Sequence, residues 1–166
     1  MFENAAIHWT ARLFVACYAG RVCLDVARRT DPGSQRVGRW IWTIGCLMCL
    51  VHFAVSFHFE HRWSHSAAYD HVLRRTQHAT GLATGIGLYV NYLFAVVWTW
   101  DCIQWWRNLE WPRQRILYWI VQALFAFLIF QATAVFGPTF WWPVAISFLV
   151  LLVALRRVSQ PRSTTH

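Results

Sequence analysis

Six of the eight histidines in this 166-residue chain fall between His52 and His78, in the stretch VHFAVSFHFEHRWSHSAAYDHVLRRTQHATG. His58, His61 and His65 follow an i, i+3, i+7 pattern, so at about 100° per residue they share one helical face. His61 and His65 also make an HxxxH pair, the spacing at which imidazoles on successive turns share a metal ion. Neutral imidazoles donate to borderline transition metals, and a carboxylate such as Glu60 offsets the ion's charge or acts as a base. The expected metal ligands are therefore His58, Glu60, His61, His65 and His71, with zinc, iron or copper as the fitting ions. On an unbroken helix Glu60, His71 and His78 line the side opposite the first three histidines, whereas a break near Ser64 to Ser66 brings the two stripes together. The histidines do not complete a membrane di-iron hydroxylase, whose chemistry needs further HxxHH boxes on other segments; the apolar runs after His78 carry none.

Two other groups invite chemistry. His52 lies inside an apolar run, where an imidazole needs a partner. A tetrapyrrole ligated by His52 is the alternative cofactor, with His8 or a second copy's His52 as the other axial ligand. The non-catalytic expectation is a His52 to Asn91 hydrogen bond that sets helix register. Cys46 and Cys49 form a CxxC within the same run, where small apolar packing is the expected role. Asp101 is expected to pair with Arg107 or cap a helix end.

The elements that position these groups follow from the apolar runs. The chain is 57% hydrophobic and 13% charged, with mean hydropathy +0.34, about half the charge of an ordinary soluble domain. That composition excludes a disordered chain and points to lipid as the solvent. The expected fold is all-α, a single polytopic transmembrane helical domain over 1–166. Its four spans are near 40–59, 81–100, 116–136 and 139–155, the last two joined as a hairpin at Gly137 and Pro138, with a histidine-rich segment 58–79 outside and a C-terminal tail 156–166.

All 15 basic residues are arginine, and the formal charge is +8. Arg28, Arg29, Arg36, Arg39, Arg107, Arg113, Arg115, Arg156, Arg157 and Arg162 flank one side of these spans, against Arg62, Arg74 and Arg75 on the other. Ten against three places the 101–115 loop and the C-terminus in the cytoplasm and the histidines outside, in a plasma or inner membrane. The basic charge then reads as topology and anionic headgroups rather than nucleic acid, for which no fold signature is present.

Residues 5–27 carry Arg12, Arg21 and Asp25, and form either an interfacial helix or a fifth span whose charges face the bundle. Tryptophans near the span ends, Trp40, Trp42, Trp98, Trp100, Trp105, Trp106, Trp111 and Trp119 inside and Trp63, Trp141 and Trp142 outside, fit interfacial belts. Gly81, Gly85, Gly87 and Asn91 are expected helix-packing positions. The functional expectation is a membrane protein binding a metal at its outer interface. The alternative is a non-catalytic subunit or helper that binds lipid, a protein partner or its own copies; whether the chain is an enzyme stays open.

Overall fold

The computed structural model describes residues 2–27, 31–110, 115–131, 133, 137 and 139–159. Among them the elements are α1 (Phe2–Val26), α2 (Pro32–Phe59), α3 (His65–Thr80), α4 (Gly87–Arg107), α5 (Arg115–Phe130) and α6 (Trp141–Val158), with no strand. The expectations for Arg28, Arg29, Trp111, Arg113, Arg162, Pro138 and the tail beyond Ser159 lie outside the described residues.

The local signals that start and stop these helices are conventional. Asp31 sits extended before α2, its carboxylate accepts from the Ser34 N–H at 2.9 Å, and Pro32 opens the first turn, which satisfies an otherwise orphaned donor. Ser64 caps α3 by accepting from the Ala67 N–H at 3.2 Å. Gly81 closes that helix at φ 79, where its N–H reaches the Gln77 carbonyl at 2.9 Å; only glycine takes this left-handed geometry freely.

Contacts between α1 and α2 run in reverse register. Arg21 lies beside Gly38, Cys17 beside Gly45, and Ile7 and Thr10 beside His52, so the two helices are antiparallel along their length. The same pattern joins α2 to α4, from Gly38 against Trp105 to Gly45 against Trp98. Helix α5 returns along α1 and α4 through Tyr118 to Asp25 and Phe125 to Phe94. Helix α1 is therefore a packed member of the bundle, with Arg21 only 4% exposed. The ends of α1, α2, α4 and α5 sort accordingly: Asp25, Arg36, Arg39 and Arg107 lie at one end, and α3 at the other.

The core is aromatic. Phe125 packs at ring distances of 4.9 Å from Trp98, 5.1 Å from Trp42 and 4.6 Å from Phe94, while Tyr18 stacks on it from α1. This corrects part of the tryptophan expectation. Trp42, Trp98 and Trp105 are 1%, 0% and 2% exposed, so they are core residues, whereas Trp40, Trp100, Trp106 and Trp119 stay on the surface. Tryptophans at one level of a helix point to different sides, and spacing from the helix end does not reveal which side faces a neighbour.

Of the four expected spans, two coincide with helices long and apolar enough to cross a membrane among the described residues, α2 and α6, while α5 contributes the shorter apolar stretch Tyr118–Phe130. In the stretch 81–100 the helix begins only at Gly87, because Gly81 ends α3 and residues 82–86 fold back on it. A Cβ on Gly85 would lie 2.6 Å from the Tyr69 ring, and one on Gly87 would lie 3.2 Å from Val72. Those two glycines thus permit close α3 packing. Gly81 has nothing within 4 Å of its Cβ position and serves as a terminator. Asn91 sits on the exposed side of α4.

Gly45 marks a close approach of α1, α2 and α4, since a Cβ there would stand 2.9 Å from both Cys17 Cβ and Trp98 Cζ2. Gly45→Val is expected to lower stability by about 1–3 kcal/mol through overpacking. Thermal unfolding of the detergent-solubilised variant, with Gly33→Ala as an exposed comparison, checks this.

Candidate metal centre

The histidine segment is built around a chain reversal. Helix α2 ends at Phe59, with the Glu60 N–H still reaching the Ser56 carbonyl at 2.9 Å. Arg62 and Trp63 then take left-handed conformations at φ 48 and φ 60, each costing an L-residue about 1–2 kcal/mol. Local bonds hold the reversal. The Trp63 N–H donates to the Phe57 carbonyl at 2.9 Å, the Ser64 N–H to the His61 carbonyl at 2.8 Å, and the Trp63 indole N–H to His58 Nδ1 at 3.3 Å.

This turn carries α3 back toward the end of α2. The rings of His61 and His71 meet edge to face at 5.2 Å, and Glu60 Oε2 lies 3.9 Å from His61 Nε2. One donor atom from each of Glu60, His61 and His71 lies within 4.8 Å of the other two. Tetrahedral zinc wants donors about 3.3 Å apart, given bonds of about 2.0–2.2 Å, so the three donors stand somewhat wider than a bound ion requires. His61 is 9% exposed against the Phe57 ring, and Glu60 is 40% exposed. Burial pushes the His61 imidazolium's ionisation down, the charge of His71 pushes it the same way, and Glu60 opposes both. Neutral imidazole is the form that binds metal.

The other two expected ligands go elsewhere. His58 accepts from Trp63, while His65 is held by Tyr92 Oη at 3.1 Å and Tyr89 Oη at 3.5 Å, stacked on the Tyr92 ring. The helical face that spacing assigned to His58, His61 and His65 does not form, because the chain reverses over residues 60–64 between them. Their separation follows from the break, which lies just before the Ser64 to Ser66 stretch.

No family model, curated protein or solved structure matches this chain.

His52 does not bond Asn91. Its Nδ1 lies 3.2 Å from the Ile7 carbonyl and 3.1 Å from the Thr10 hydroxyl, and its ring meets the edge of Phe14 at 5.6 Å. These contacts at Nδ1 fasten α2 to α1; a proton there serves the Ile7 carbonyl, and a bare Nδ1 serves the Thr10 hydroxyl. Cys46 and Cys49 are buried core residues; Cys46 Sγ lies 3.7 Å from Thr99 Oγ1, and both thiols are free. Asp101 accepts the Trp42 indole N–H at 2.7 Å, in place of the expected Arg107. Tyr89, Tyr92 and Trp63 are partners that sequence spacing missed, since two of them come from a different helix.

Two outcomes follow from this geometry. Arg62→Gly is expected to relieve the left-handed strain and keep the three donors together, whereas Arg62→Ile, β-branched at a positive φ, is expected to spread them; Co2+ titrated into each variant compares their capacity to take up a metal. Burial holds the His61 imidazole in its neutral, metal-binding form to lower pH than an ordinary histidine, so the absorbance of Co2+ added to the protein is expected to fall as the pH is lowered.

Proposed function

We propose that the chain is an integral membrane helical bundle that holds a transition metal ion at its outer interface through Glu60, His61 and His71. The observation that carries the metal half is the convergence of two donors in a strained reversal, Glu60 and His61, with a third on α3, His71, since strain of this kind recurs at ligand clamps. Two imidazoles and one carboxylate suit zinc, iron or copper and leave a fourth tetrahedral position for water or a partner's group.

The membrane half rests on what the helices expose. No residue in the membrane-length window of α6 is buried, and only 22% of that of α2 is. Leu149, Val150 and Val153 of α6 and Leu47, Leu50 and Val51 of α2 are all exposed; lipid covers such surfaces at no cost, and water does not. In this reading α4 and α5 cross beside α2 and α6, and α1 is a fifth span whose Arg21 and Asp25 face inward. The arginine-bearing end lies in the cytoplasm and the metal centre outside, in a plasma or inner membrane.

The second reading is a non-catalytic subunit or helper. It draws on α6, whose apolar surface is unburied within the chain and suits a partner helix or a second copy as well as lipid. Under that reading the metal is structural.

The test is metal content. Protein purified with Zn2+ is expected to hold one equivalent per chain, to keep it in the variant His65→Ala, and to lose it in the double variant His61→Ala with His71→Ala. Stoichiometric zinc in that double variant sinks the centre. Saturating the site at 100 times its dissociation constant adds about 2.7 kcal/mol of stability, readable as a thermal shift.

A further inference from the structure

We propose that Arg39 and Trp106, flanked by Arg36 and Arg107, bind the phosphate of an anionic phospholipid at the arginine-bearing end of the bundle. The inference rests on the membrane half of the function proposed above and is independent of the metal centre.

The guanidinium carbon of Arg39 lies 4.0 Å over the Trp106 ring. That indole is fixed from two sides: its N–H donates to Thr43 Oγ1 at 2.9 Å, and Trp40 meets it edge on at 5.0 Å. The Thr43 hydroxyl in turn donates to the Arg39 carbonyl at 2.8 Å, which closes a small ring of contacts around the arginine's own backbone. Stacking uses the face of the guanidinium and leaves its N–H edge to bind something in plane. That edge is a rigid fork matched to phosphate oxygens.

Among the described residues nothing takes up the fork: no carboxylate pairs with Arg36, Arg39 or Arg107, and while Arg39 Nε is buried without an acceptor, its two terminal nitrogens are not sealed in. A buried, unsatisfied donor on a charged group is costly. Arg36 stands one helical turn before Arg39 on α2, and Arg107 follows Trp106 on α4, so the cationic cluster spans two antiparallel helices.

The neighbours argue for lipid as the phosphate's source. Trp40 and Trp106 are 52% and 42% exposed, and half-exposed indoles at a helix end sit at headgroup depth. An acyl chain leaving the phosphate would run along the exposed Ile44 and Leu47 of α2. Soluble phosphate has no use for that apolar flank. Basic groups in this position attract anionic lipids in the cytoplasmic leaflet.

The test uses the full chain, purified from mixed phosphatidylglycerol and phosphatidylcholine vesicles and weighed by native mass spectrometry. Wild type is expected to retain phosphatidylglycerol several-fold over phosphatidylcholine. Arg39→Lys keeps the charge and loses the fork, and Trp106→Leu loses the platform; each is expected to remove most of that preference. Arg74→Gln, at the opposite end, leaves it intact. Equal retention of both lipids by wild type, or unchanged preference in Arg39→Lys, overturns the site, and so does displacement of the lipid by inorganic phosphate alone. Failure to enter the vesicles instead overturns the membrane reading, and zinc content measured on the same preparations keeps the metal centre a separate question.

Discussion

The bundle depends on how it disposes of one buried charge. Arg21 on α1 is surrounded by apolar helices, and a guanidinium there is tolerable only if it is paired and its donors are used. The structure meets this with three groups from three helices. Asp25, one turn along α1, forms the ion pair. The Trp105 ring of α4 offers its face at 4.3 Å, and the Tyr118 hydroxyl of α5 donates to the second oxygen of Asp25 at 2.7 Å. Gly38 of α2 leaves room for the guanidinium, 3.2 Å from where a side chain would begin. Replacing one partner leaves the others exposed to the full desolvation cost, so α1, α2, α4 and α5 are specified together.

That network also explains what could be read in advance. The Arg21 and Asp25 spacing of four residues is visible in the sequence as a helical ion pair. The choice between an interfacial and a packed α1 is not, because it turns on Gly38, Trp105 and Tyr118, which lie far along the chain. The tryptophans teach the same lesson. Their abundance near helix ends is consistent with belts, but Trp42 and Trp98 are drawn inward by Phe125, a residue that no periodicity marked as the centre of the core. The all-α class followed from composition and run length. The start of α4 did not, since Gly85 had to be known as the place where Tyr69 closes on the backbone.

The site was legible to a similar depth. Clustering of histidines drew attention to residues 58–71, and imidazole chemistry named the class of ligand. The grouping itself depends on a reversal that sequence patterns disfavour, because Arg62 and Trp63 are not residues that seek left-handed geometry. Trp63 is held there by His58 and Phe57, so one expected ligand is spent in shaping the turn. His65 is diverted by tyrosines of α4 that approach only once α3 has docked. What remains, Glu60, His61 and His71, is the subset the fold leaves available.

The three donors lie within twelve consecutive residues, 60 to 71. Short segments close with little entropy loss and need no distant strand or helix to bring their ends together. The α2–α3 corner therefore brings these three side chains together without a long loop to close, and the selection among the histidines falls to α4, whose tyrosines engage His65.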